Sequence, residues 1–468
     1  MTVNQTIGDA ASFTPSSVGN LSSPRRVAAI YAMPAVAGGF MGNMIGFYFM
    51  KYATDVLLIA PAAIGLIFGA SRIWDAVTDP IVGYWSDKTR TRWGRRRPFV
   101  MAFALPLALS FFALWSPPHG LTETGRLVWI GVAIFGFSTA VTGFGMPYVA
   151  LGAELSKDYH ERTRIFSWTQ IAGGIGGLMG LAALAPLISG DADQRAQVPQ
   201  LALCVALLSL PMTAFAVSRL RERPENWGRG PATPFTAVRD VCRNAHARPL
   251  LAAALFGTLG GASAKLAVPY ACEYVLGSLD LMPLVLLAYV VPMILAQPIW
   301  LPLSRRFDKR EVWIAAAIVQ ALGLGGFFFA DSLPFPLLLA MVGIAGAADG
   351  GTSVLGTSIK ADVIDADELA TGERKEGSYF AMWGLAMKTS YGLAIFLVGF
   401  VLQIAGFDAG GPQSASAIWA IRGLQAVIPF VFLSLGCLCM TRLRLNAMEH
   451  ARIRQALDAR HLDRAPSS

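Results

Sequence analysis

The chain is short of charge. Of its 468 residues only 15% are Asp, Glu, Lys or Arg, where soluble proteins carry about 25%. That shortage excludes a disordered chain, a long coiled coil and an ordinary soluble enzyme. Cysteine is scarce as well: Cys204, Cys242, Cys272, Cys437 and Cys439 have no paired spacing, so neither a disulfide frame nor a zinc site is expected. No Gly-x-x-x-x-Gly-Lys-Ser/Thr loop occurs, which removes ATP hydrolysis by this chain. The run Gly173-Gly174-Ile175-Gly176-Gly177-Leu178-Met179-Gly180 follows no strand; its small residues four apart suit close helix packing, not nucleotide binding. No nucleophile–base constellation is present, and no cofactor is expected beyond a coupling ion.

Apolar sequence fills the space. Hydrophobic residues make up 54% of the chain and its mean hydropathy is +0.51. They fall into apolar runs of roughly 20 residues, the length that crosses a bilayer as a helix. Twelve spans are expected, from 28–50 and 61–85 through to 378–405 and 417–440. Of the 38 Lys and Arg, 31 lie on one side of this topology; the other side holds three, Lys51, Arg126 and Arg195. The positive-inside rule then puts both termini in the cytoplasm, and a bacterial inner membrane is the expected location. Topology and lipid headgroups account for the net charge of +8, and no nucleic-acid partner is expected.

The chain divides into a disordered arm over 1–26, a six-helix half over 27–218, a cytoplasmic linker over 219–249, a second six-helix half over 250–440 and a tail over 441–468. An amphipathic stretch near 235–242 is placed on the membrane surface. The halves repeat: Asp79-Pro80-Ile81 matches Gln297-Pro298-Ile299, and Ala153-Glu154 matches Ala361-Asp362. Paired halves of this kind serve a rocking transporter with a midplane site. A monomer is expected.

Charges stranded at membrane depth carry the chemistry. Asp75 and Asp79 are four apart, so both carboxylates share one face of span two, with Thr78 on the adjoining edge. Each buried Asp costs on the order of 3 kcal/mol to insert, and two adjacent negative charges favour a bound cation or a shared proton. Pro80 also frees the carbonyl of Ala76. Two readings stand side by side: a coupling-ion site, and a structural ion pair with Arg72 or with Lys388 of span eleven. Thr142 of span four adds a hydroxyl. Either Na+ or H+ suits these groups. Asn43, Gln170, Lys265, Asp349 and Trp383 are candidates for the solute, Trp383 either as a stacking face or as packing; Glu273, Gln297 and Arg422 are further polar residues inside spans. Loop charges that close the cytoplasmic side are expected at Asp87, Arg95 and Arg96, with Glu154 or Asp362 as partners.

Three stretches coincide with one family. Arg72-Ile73-Trp74-Asp75-Ala76-Val77-Thr78-Asp79-Pro80, Arg92-Trp93-Gly94-Arg95 and Thr371-Gly372-Glu373-Arg374-Lys375-Glu376-Gly377 resemble the glycoside–pentoside–hexuronide:cation symporters, the melibiose-permease type within the major facilitator superfamily. The resemblance implies a twelve-helix fold of two halves and cation-coupled symport of a sugar, glycoside or related organic solute. It puts the cation on Asp75, Thr78, Asp79 and Thr142, with Lys388 as countercharge. The positions that grip a galactoside in that family fall on Gly39, Gly145, Val149 and Gln170, so the resemblance does not extend to galactoside specificity. Lysophospholipid symporters of animals share the pattern, and an amphiphile is the alternative cargo.

Overall fold

The computed structural model describes residues 24–156, 159–188, 194–220, 222, 241, 243–372, 376–409 and 411–463. Twelve helical segments run through them in order. The first half holds α1 (Pro24–Met44, prolonged by the π turns Ile45–Phe49 and Tyr52–Val56), α2 (Pro61–Lys88), α3 (Arg97–Trp115), α4 (Glu123–Glu154), α5 (Tyr159–Ile188) and α6 (Gln194–Arg219). The second holds α7 (Ala247–Tyr270, prolonged by Ala271–Val275), α8 (Met282–Leu295, then Gln297–Arg306), α9 (Lys309–Leu324 and Gly325–Phe329), α10 (Phe335–Thr371), α11 (Glu376–Ile404) and α12 (Ala415–Arg422, Gly423–Val427 and Ile428–Thr441). A further helix, α13 (Ala447–Asp463), occupies much of the region expected as a plain tail. The arm up to residue 23 and most of the linker, including the stretch at 235–242 except Val241, lie outside the described residues.

Among the described residues nine helices are long and apolar enough to cross a membrane, and α8 makes ten if its two bent parts count as one span. The remaining two are α2 and α5, of 28 and 30 residues. At 1.5 Å per residue both exceed the bilayer core, which is about 30 Å thick. The middle of α2 carries Arg72, Asp75 and Asp79, which lowers its hydropathy without shortening it. The bend of α8 falls where Pro298 follows Gln297, since proline cannot supply the helical N–H.

Helix spacing is set by small residues. A Cβ on Gly39 would overlap the carbonyl of Gly173, and one on Gly176 would overlap the carbonyl of Val36, so α1 and α5 touch backbone to backbone. Between the halves α2 lies against α11: a Cβ on Gly399 would strike the Pro61 carbonyl, and one on Gly392 would strike the stem of Arg72.

The apolar core has an uneven plan. At the end holding Lys51 one cluster crosses both halves, joining Tyr48, Tyr52 and Trp115 to Tyr270, Leu266 and Leu402. Among the described residues, the arginine-rich end has two separate clusters. One contains Tyr31, Tyr148 and Val217 of the first half; the other contains Trp313, Ile359 and Tyr379 of the second, with Ile453 and Leu457 of α13.

Candidate functional site

The carboxylate pair of α2 sits where the two halves meet. Asp75 is 1% exposed and Asp79 7%. Their partners form a ladder, because α4 runs beside α2 and repeats the four-residue spacing. The Ser138 hydroxyl donates to Asp75 Oδ1, and Thr142 donates to Asp79 Oδ1 at 2.7 Å. Each carboxylate also meets a cation. Arg72 Nη1 lies 2.8 Å from Asp75 Oδ2 on the same helix. Lys388 Nζ of α11 lies 2.8 Å from both oxygens of Asp79 and 3.4 Å from the Thr142 hydroxyl. The first ion pair is internal to one half, and the second joins the halves. The open space left by Gly392 lets Arg72 pass α11 at this level.

Four of the five expected cation-site residues are therefore together, and one stands apart. The Thr78 hydroxyl donates to the Trp74 carbonyl of its own helix at 3.1 Å. A residue adjacent to Asp79 is turned by about 100° around the helix, so Thr78 faces away and its hydroxyl back-bonds. Ser138 takes the place expected of it. The sequence held that signal, since Ser138 and Thr142 repeat the spacing of Asp75 and Asp79.

The residues expected at the solute divide between two places. Lys265, Asp349 and Trp383 line one cavity of 390 Å³, whose described walls come wholly from the second half. Lys265 Nζ is 3.5 Å from Asp349 Oδ2, and the Trp383 ring has Lys360 Nζ 4.7 Å from its centroid. Asn43 and Gln170 are not on this wall. A Cβ on Gly177 would meet the Asn43 amide, so Asn43 packs in the α1–α5 seam, and Gln170 is exposed on α5.

The loop charges pair inside each half. Arg95 Nη2 lies 2.6 Å from Glu154 Oε1 and Arg96 Nη2 3.3 Å from the same oxygen. Asp362 does not meet this cluster. It pairs with Lys309 at 2.6 Å and lies 3.5 Å from His450 of α13. The repeat explains the difference: Glu154 ends α4 and Asp362 lies in the corresponding part of α10, and each receives the basic loop of its own half. The side chain of Asp87 lies outside the described residues. Glu222, just past α6, accepts the backbone N–H groups of Arg95, Arg96 and Arg97 at 2.7, 2.9 and 2.8 Å. These are donors at the start of α3 that lack helical partners. Gly94 has φ +109°, and a Cβ there would run into the Glu222 carboxylate, so a glycine is required.

A second cross-half cluster was not expected. Lys51 pairs with Asp55 of its own half and with Glu273 of the other. Tyr274 donates to Asp55 Oδ2 at 3.1 Å, and the Thr54 and Tyr270 hydroxyls are 2.9 Å apart. Lys51 Nζ also stands 5.0 Å from the centroid of the Tyr274 ring.

A family model of MFS/sugar transport proteins matches residues 30–447. The chain belongs to that family. As a family member it resembles the inner membrane symporter YicJ of Escherichia coli at 24% identity, over 88% of this chain and 90% of that one. It resembles the isoprimeverose transporter of Lactiplantibacillus pentosus at 25%, over 90% and 88%. Its fold matches the crystal structure of a D-xylose–proton symporter with a TM-score of 0.65 at 14% identity, covering 92% of this chain and 99% of that one. The protein is thus a multi-pass, all-helical membrane transporter of the major facilitator type.

Proposed function

We propose that this transporter carries a sugar, glycoside or related organic solute together with Na+ or H+, as a monomer in a bacterial inner membrane with both termini in the cytoplasm. The observation that carries the reading is the pairing of Asp79 in one half with Lys388 in the other, beside Asp75 and the Ser138 and Thr142 hydroxyls. Two carboxylates and two hydroxyls make an oxygen-rich site for a hard cation, and a proton is accepted by the same carboxylates. An ion that settles on Asp79 competes with the ammonium of Lys388. Its arrival therefore frees a contact between the halves, and by linkage ion and solute alter each other's affinity reciprocally. With the termini inside, the end closed by Lys51 and Glu273 faces out.

The test is uptake into proteoliposomes under an imposed Na+ or H+ gradient. Asp75→Asn and Asp79→Asn are each expected to abolish accumulation against a gradient while the protein still inserts, and to remove the cation dependence of solute affinity. Concentrative uptake unchanged in both variants overturns the assignment. A lysolipid arm in the same assay separates the amphiphile alternative.

A further inference from the structure

Among the described residues, the polar groups that line the cavity belong to the second half. In the first half Asp75 and Asp79 have side chains 2% and 10% exposed, each closed by a cation at 2.8 Å. The Gly39 position is filled by the Gly173 carbonyl, and Gly145 and Val149 offer no polar group. Across the molecule Lys265 and Asp349 are 35% and 23% exposed, 3.5 Å apart, on the wall of the 390 Å³ cavity. That volume is within the range of small-molecule sites. Asp349 is anchored from behind. Tyr289 donates to its Oδ2 at 2.9 Å, and Gln320 donates to the Tyr289 hydroxyl at 3.2 Å. The carboxylate is fixed in place, whereas Lys265 reaches it by one long contact and keeps donors to spare.

We propose, building on the transport reading above, that Lys265 and Asp349 are the polar grip of the solute site and select a neutral polyhydroxylated solute over an acid-bearing one. A sugar hydroxyl can donate to Asp349 and accept from Lys265 together, and the pair stays neutral throughout. A solute carboxylate docked on Lys265 would lie within a few ångströms of Asp349. At that separation repulsion by the second charge offsets attraction by the first, and the hydration lost by the anion is not recovered. An ammonium solute meets the reverse problem. Thr258 and Thr352 add hydroxyls to the wall, and Trp383 offers an apolar face for a sugar ring.

The experiment measures binding to the purified full-length protein by thermal shift and calorimetry. The probes are methyl β-D-glucopyranoside, methyl β-D-xylopyranoside and a neutral disaccharide set, against methyl β-D-glucuronide, with and without Na+. The wild-type protein is expected to bind at least one neutral probe ten-fold or more tightly than the uronide. Asp349→Asn is expected to weaken the neutral probe at least ten-fold and to raise uronide affinity, because Lys265 then acts unopposed. Lys265→Met is expected to weaken both. Equal or tighter uronide binding by the wild type overturns the proposal and leaves the transport reading intact; so does neutral-probe affinity that is unchanged in Asp349→Asn. Binding of no sugar probe at all likewise overturns the proposal, while the transport reading stands or falls on the uptake assay. The wild-type comparison decides the matter even if a variant fails to fold.

Discussion

The two ends of the molecule solve the same problem differently. At the end holding Lys51, one apolar cluster spans both halves, and the Lys51–Glu273, Tyr274–Asp55 and Thr54–Tyr270 contacts all cross between them. At the arginine-rich end, among the described residues, each half has its own cluster and the charge pairs lie within one half, Arg95 and Arg96 with Glu154, Lys309 with Asp362. One end is a junction, and the other is two finished surfaces. Halves that are complete by themselves can part without leaving charges bare, which keeps the cost of opening small. The junction end must trade its buried contacts when it opens, so it sets the balance between the two forms.

The contrast can be broken, and the largest effect is expected inside one half. Glu154→Gln removes a carboxylate shared by two guanidinium groups that are almost wholly buried, a loss of up to about 3–5 kcal/mol. It should appear as a much lower thermal unfolding midpoint in detergent, with solute affinity retained. An unchanged midpoint would mean that this cluster does not hold the half together. Next comes Glu273→Gln at the junction. Lys51 keeps Asp55, so the fold survives while the cross-half pair is lost. A shift of about 1 kcal/mol, near five-fold in population, is expected toward the form open at that end. Cysteine labelling at that end should speed up accordingly, and labelling at wild-type rates would deny the junction its role. The smallest change is expected from His450→Gln. His450 lies 3.2 Å from Asp365, which Arg454 also approaches at 3.3 Å. A partly exposed pair contributes up to about 1 kcal/mol, so the midpoint should barely move and transport should persist.

Much of this was legible from residues alone, and the limits have physical reasons. Hydropathy marks the spans because each must bury itself in lipid, and the Asp75–Asp79 spacing marks one face of α2. Lys388 could be named as a countercharge because a lone ammonium at membrane depth needs an anion. The resemblance puts Thr78 at the cation, yet neighbours along a helix point apart and its hydroxyl bonds to the Trp74 carbonyl; Ser138 is four residues from Thr142 and points the same way. The link between Lys51 and Glu273 joins residues 222 positions apart through the docking of two halves, and no local pattern encodes that. Loop charge offers Glu154 and Asp362 alike as partners of Arg95 and Arg96, because it does not say which basic loop comes nearest. The volume and walls of the 390 Å³ cavity depend on helix spacing, which follows from close contacts such as Gly39 with Gly173 and not from composition.

The cap that Glu222 places on the first turn of α3 has a consequence in time. The N–H groups of Arg95, Arg96 and Arg97 wait for a carboxylate that is 127, 126 and 125 residues further along the chain. At ribosomal rates of about 5–20 residues per second, that gap lasts roughly ten seconds. Glu154, 59 and 58 residues on, reaches the Arg95 and Arg96 side chains first, so the rim is tied in two steps. The side chains are held once α4 has been made, and the backbone of the leading turn stays hydrated until α6 has followed.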